Sequence, residues 1–205
     1  MQPASPPPRL GSIKGFAFAE FVNWYGERWG REAVAVALAR AESRYAVQFD
    51  LDRPGYGILA SQWYHAEIVH TILDELMQKH SAAEIASMIP QAAEDIMGKM
   101  LRGIYRAIFA MCVTPERYLR HVEKIWRLQY DNGRPTILAP RANEHRITYV
   151  DWHSHHPIIC HLNMAASRPI YAAMGCKEPH YKRVGCISTG ATRCEVHVVW
   201  KWEGP

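Results

Sequence analysis

Cys160, Cys186 and Cys194 are the residues of this 205-residue chain whose type and placement best suit a metal ion, with Cys176 nearby in sequence. Thiolates ligate zinc, and Cys186 and Cys194 flank a predicted terminal hairpin whose adjacent strands can bring two sulfurs to one ion. Cys160, near the start of the preceding predicted helix, can close a third vertex. The plainer reading is that all are small apolar core residues, since Cys-x7-Cys lacks the tightness of a Cys-x-x-Cys knuckle. Around Cys160 stand His153, His155, His156 and His161. Imidazoles at this density can ligate a metal, exchange protons or coordinate haem, or simply form a polar loop before a helix. His156 and His161 are the candidates for a fourth ligand.

Two further groups invite a functional reading. Arg117, Arg120, Lys124 and Arg127 recur at three, four and three residues, which places them on one helix face opposite Leu119, Val122 and Trp126. Such a stripe is a solvated face or a surface for an acidic partner. Aromatics are dense: Trp63, Tyr64, Tyr105, Phe109, Trp126, Tyr130, Tyr149, Trp152, Tyr171 and Tyr181. Most belong in the core, and a few near the seam between helices and sheet would suit a small aromatic ligand.

The elements that must position these groups follow from periodicity. Helical patterning predicts helices over 13–28, 31–46, 61–79, 82–111 and 115–128, with Ser81 and Thr114 as N-caps and Pro115 at a first helical position. Strand-like alternation then appears over 128–138 and 146–152, predicting an antiparallel pair. One more helix is predicted over 157–174, followed by strands 180–187 and 193–202 around a turn at Ser188-Thr189-Gly190-Ala191. In the last strand Cys194, Val196, Val198, Trp200 and Trp202 share one face. The expected architecture is one α+β domain over 13–205, N-terminal helices packed on a C-terminal antiparallel sheet, after a disordered Pro-rich tail over 1–12.

Composition bounds the function classes. With 48% hydrophobic and 21% charged residues the chain can bury a core, and no apolar run approaches the roughly 20 residues of a membrane span. The net charge of +4 conceals a gradient: residues 1–98 carry 8 basic and 12 acidic side chains, residues 99–146 carry 10 and 4, and residues 147–205 carry 6 and 4. A positive balance confined to the middle is a local surface and argues against a nucleic-acid binder. The five cysteines, with no export signal at the N-terminus, read as thiols or metal ligands in the cytoplasm. Phosphate loops, dinucleotide fingerprints, nucleophile elbows and His-Glu-x-x-His pairs are all absent from the sequence.

The stretch Cys160 to Trp202 resembles the C-terminal part of the 4-vinyl-reductase-like domain, a small-molecule-binding module of bacterial sensory proteins. Tyr181-Lys182-Arg183-Val184-Gly185-Cys186, then Thr189-Gly190-Ala191-Thr192-Arg193-Cys194 and Val196 to Trp200 carry the likeness. Upstream, Ser61-Gln62-Trp63-Tyr64 and the stretch Met97 to Val113 resemble a myxobacterial paralogous family of uncharacterised proteins. Haem nitric-oxide-binding domains and vesicle-tethering complex subunits are similar in overall architecture. In phenol-sensing members the resemblance implies zinc held by Cys, Glu, Cys and Cys beside an aromatic-effector pocket. Its three cysteines match Cys160, Cys186 and Cys194, but the glutamate position is Arg183 here, and a guanidinium cannot ligate zinc. Either a histidine such as His161 replaces it, giving Cys160, Cys186, Cys194 and His161, or the cysteines are packing.

Together these features predict a small-molecule-binding sensory or regulatory module. It would take a hydrophobic or aromatic ligand at Tyr105, Phe109, Trp126, Tyr130 and Tyr181, and signal through a homodimer or a protein partner. The lack of a Tyr-x-Ser-x-Arg clamp argues against haem. An enzyme, using His153, His155, His156 or a metal at Cys160, and a ligand-free scaffold are the alternatives.

Overall fold

The computed structural model describes residues 10–102 and 114–201. The chain order is β1 (Ser12–Lys14), α1 (Gly15–Trp29), α2 (Arg31–Glu42), β2 (Trp63–His65), α3 (Ala66–Met77), α4 (Ala82–Arg102), α5 (Pro115–Arg127), β3 (Arg134–Arg141), β4 (Glu144–Val150), α6 (Pro157–Ala173), β5 (Lys177–Gly185) and β6 (Cys194–Lys201). The α+β class and the separation of helices from a C-terminal antiparallel sheet agree with the sequence-based expectation. The sheet runs β3-β4-β6-β5, antiparallel throughout. No helix among the described residues is long and apolar enough to cross a membrane.

Alternation in the last strand sets the layer arrangement. Cys194, Val196, Val198 and Trp200 of β6 are buried, as are Ile147 and Tyr149 of β4, and they pair as Ile147 with Val196 and Tyr149 with Cys194. One face of the sheet therefore meets the helices, and the side chains between, such as Arg146 and Lys182, face outward. On the helical side α1 buries Phe18, Phe21, Val22, Trp24 and Tyr25 at three- and four-residue spacing. Thr114 caps α5 by accepting from the Arg117 amide, and Pro115 follows it. The basic stripe of Arg117, Arg120, Lys124 and Arg127 faces solvent while Tyr118, Val122 and Trp126 pack inward.

Two expected helix starts are strands. Ser12–Lys14 and Trp63–His65 form a two-stranded antiparallel ribbon with Ile13 opposite Tyr64, and Ile13 also bridges Tyr130. Strands of three residues are too short for their period to stand out against the helices that follow directly. Both sheet edges carry prolines beside register shifts, Pro140 between Leu138 and Arg141 on β3 and Pro179 between Lys177 and His180 on β5.

The connection from α5 to β3 is fixed by Asn132. Its Nδ2 donates to the Leu10 carbonyl, its own carbonyl accepts from Trp126 Nε1, and its Oδ1 accepts from the amides of His153 and Ser154. Gly133 follows at φ 70°, where an added Cβ would lie 2.8 Å from the Trp152 Cα. Gly133→Ala is therefore expected to destabilise the fold by about 1–3 kcal/mol. Urea unfolding of the variant against the parent checks this, and an unchanged midpoint would contradict it.

Candidate metal centre and ligand cavity

The loop between β4 and α6 is held from three sides. Asn132 pins it at His153 and Ser154, Trp152 Nε1 donates to Ser154 Oγ at 3.0 Å, and His70 Nε2 of α3 donates to the Ser154 carbonyl at 3.1 Å. His156 then caps α6: its Nδ1 accepts from the Ile158 amide, which leaves the ring proton on Nε2 to be given to Asp74 at 3.0 Å. Pro157 occupies the first helical position, and Cys160 follows in the first turn, fully buried.

Opposite it, the segment from Cys186 to Cys194 folds back tightly. The Cys186 carbonyl accepts from the amides of Thr189 and Ala191 and from Thr189 Oγ1, and Gly190 turns the chain at φ 86°. Cys186 and Cys194 thereby face one another with sulfurs 3.8 Å apart, and Cys160 Sγ lies 3.6 Å from Cys186 Sγ. His155 Nε2 lies 3.3 Å from Cys186 Sγ, and the four donor atoms all fall within 4.8 Å of one another. Zinc with thiolates at roughly 2.3 Å in a tetrahedron sets its sulfurs about 3.8 Å apart, so the spacing fits one ion of that kind. Ser188 Oγ, 3.0 Å from Cys186 Sγ, and the Trp152 ring, 5.2 Å edge-on from the His155 ring, supply the surrounding support.

The fourth donor is His155, where the sequence pointed to His161. His161 follows Cys160 on the helix, so its side chain leaves the axis about 100° away. It lies instead near Arg183, and burial and that guanidinium hold its pKa down to about 4. His153 and His156 also stay outside the cluster. Electrostatics within the cluster favours a cation. Cys194 is pushed down to about 4 by the Cys160 thiol and then by His155, against burial, while the bond to Cys194 and burial push Cys160 strongly up. For Cys186, burial raises the thiol but Ser188, His155 and Cys160 outweigh it. Three buried sulfurs cannot all ionise without a positive charge between them.

A second feature lies between the helices and the inner sheet face. This cavity of about 130 Å³ is walled by side chains including Phe18, Phe21, Met97, Trp126, Tyr130, Tyr149 and Ile170. Of the expected ligand residues, Trp126 and Tyr130 are on its wall. Tyr181 is not: it lines a separate surface hollow with Glu94, Arg168 and Pro169, because β5 is the sheet's far edge. Tyr105 and Phe109 lie outside the described residues. Sequence reasoning passed over Tyr149 as a wall residue, although its alternation in β4 was a usable signal, and Asn163, four residues after Ile159 on α6.

No protein-family model and no curated protein matches the chain, so the vinyl-reductase-like and myxobacterial likenesses gain no support. Solved structures do share the fold. A Fe(II) unliganded H-NOX protein from K. algicida aligns with TM-score 0.61 and 15% identity over 93% of this chain and 97% of that one. A structure from work on haem distortion in the H-NOX family gives 0.65 and 11% over 94% and 98%. An oxygen-binding H-NOX domain related to soluble guanylate cyclases, in its oxygen complex, gives 0.62 and 11% over 94% and 98%. This corrects the argument against haem, because these neighbours of the same fold are H-NOX proteins, among them one studied for its haem distortion, and a missing Tyr-x-Ser-x-Arg run is no ground for setting haem aside. Haem iron takes His, Cys, Met or Tyr. Among the described residues the cavity offers Tyr118, Tyr130, Tyr149, Met97 and Met100 and no imidazole or thiol. The cavity's volume of about 130 Å³ is close to that of a single ring.

Three histidines around the cluster are kept neutral, while at His155 burial is outweighed by the thiols of Cys194 and Cys186, which raise it. Burial holds His70 to about 4 and also lowers His156, as it does with Arg183 at His161. Histidines depressed below their ordinary 6.5 bind fewer protons folded than unfolded, so their contribution is complete above 6.5 and is lost as pH falls toward 4. Glu84, Glu116 and Glu195 are depressed below 4.5, so their losses come only at lower pH. Urea unfolding of the metal-free protein is expected to show stability declining already between pH 6.5 and 4.5. A flat profile there would contradict neutral burial of these rings.

Proposed function

We propose that this chain is a small-molecule-binding sensory module, in which the cavity takes a compact, largely apolar ligand and a zinc ion at His155, Cys160, Cys186 and Cys194 fixes one of its walls. The cavity carries this reading. Its volume of about 130 Å³ is close to that of an engineered apolar cavity, about 150 Å³, that binds benzene. The oxygen-binding neighbour of the same fold supports a sensory role by analogy of architecture.

The zinc has a structural task here. Four protein donors would fill the positions of a four-coordinate ion and leave none open for a reacting molecule, which favours binding over the enzyme alternative. When bound, the ion supplies the positive charge that lets the sulfurs ionise together. The residues do the rest. Cys160 sits in the first turn of α6, and Asn163, Ala166 and Ile170 of the same helix line the cavity. Clamping Cys160 to the hairpin sets the height of that wall. A ligand that shifts α6 would favour one conformational population, which a second copy or a partner protein then reads.

Elemental analysis of protein purified without added metal tests the metal part: one zinc per chain is expected, lost in His155→Ala and in Cys186→Ser and kept in His161→Ala. Zinc retained in the first two variants would refute the assignment. Native mass spectrometry of the same preparation reads the cavity. A small organic adduct is the expected result, whereas an adduct with the mass of haem would replace this reading by that of the haem-holding neighbours.

A further inference from the structure

The cavity wall is apolar except at a few atoms, and two of those are hydroxyls that the fold leaves with something to give. Tyr149 is 8% exposed and lines the cavity, and its hydroxyl has no hydrogen-bond partner among the described residues. Tyr130, 3% exposed, accepts from Asn163 Nδ2 at 2.7 Å. The direction of that bond is fixed, because the same Nδ2 lies 2.9 Å from the Ile159 carbonyl, which can only accept. The Tyr130 hydroxyl proton is therefore free to point elsewhere. A buried hydroxyl proton without an acceptor is costly, so two on one cavity wall mark an interaction that the described residues do not complete.

Both rings pack on Trp126, with centroids 4.3 Å and 5.1 Å away, so they belong to one aromatic cluster on the cavity wall. No Lys, Arg, His, Asp or Glu stands among the described residues of the wall. A carboxylate or an ammonium ion would enter without a counter-charge. Burial pushes the ionisation of both phenols well above the ordinary tyrosine range, so each keeps its proton and acts as a donor. Two neutral donors on an uncharged wall ask for one uncharged oxygen with two lone pairs.

Resting on the cavity reading above, we infer that the ligand is an uncharged single-ring compound bearing a carbonyl oxygen, which accepts from Tyr130 and Tyr149. Asn163 is a positioning residue that holds the Tyr130 oxygen and leaves its proton for the ligand. A hydrocarbon of the same shape fills the space and leaves both hydroxyls unpaired.

Ethylbenzene and acetophenone differ by that carbonyl and make the test, with phenol and benzoate as the competing chemistries, each titrated at pH 7 into the full chain by calorimetry. Acetophenone is expected to bind about tenfold more tightly than ethylbenzene, the worth of one to two neutral hydrogen bonds. In Tyr149→Phe and Tyr130→Phe that preference should fall toward one while ethylbenzene affinity is kept. The retained hydrocarbon binding shows that the variants are folded, and Tyr149→Phe removes only a hydroxyl without a partner among the described residues. Equal affinity of acetophenone and ethylbenzene, or tighter binding of phenol or benzoate, would overturn the carbonyl assignment and leave the cavity reading standing. If none of the four binds, the cavity reading falls and the assignment with it.

Discussion

The side chain of Asn132 is the joint on which the functional half of this protein turns. Its amide reaches Leu10, just before β1, and two successive backbone amides of the loop before α6, while its backbone carbonyl holds the indole of α5. The bond to Leu10 spans 122 residues of sequence, and each of the four satisfies a polar group that would otherwise be stranded at the edge of the core. Trp126, held from below by Asn132, supplies the central ring of the aromatic cluster. His155, two residues beyond one of the pinned amides, is aimed at the thiols. A single residue, through its side chain and its own carbonyl, thus couples the geometry of the cavity to that of the sulfur cluster.

Helix α6 makes the coupling mechanical. Its first turn carries a thiol of the cluster and its later turns carry cavity wall, so the helix cannot slide at one end without moving the other. Close packing transmits such shifts because an interior at native density has no slack to absorb them. The buried bond between Tyr171 and His145 fastens the far end of the same helix to β4. The element between the two sites is tied at both ends and packs on α4 and on β5.

How much of this was legible in the sequence depends on how far the determining contacts reach. The helices after Thr114 and before Gly30 and the strand from Cys194 carry their burial in their own spacing, and their limits are nearly right. The β1–β2 ribbon was missed because three residues hold no period and its pairing partner lies fifty residues away. The three cysteines converge as expected, since a hairpin and the turn before it are local devices. The fourth donor was misplaced for a local reason that was available: two adjacent helical residues, Cys160 and His161, diverge, whereas His155 precedes the helix cap and is free to reach forward. Tyr181 misled because strand order is not written along the chain. The last two strands exchange places, β6 taking the interior position beside β4 and sending β5 to the edge.

That strand order leaves two open edges, and each is interrupted by a proline beside a break in register, Pro140 on β3 and Pro179 on β5. A proline has no amide hydrogen to offer a docking strand, and a bulge bends the ribbon away from a straight template. The two edges are thereby guarded against growing by strand addition into fibrous aggregates. Contacts made there must be read through protruding side chains, where charge and shape can discriminate, and not through the indiscriminate hydrogen bonding of a bare backbone.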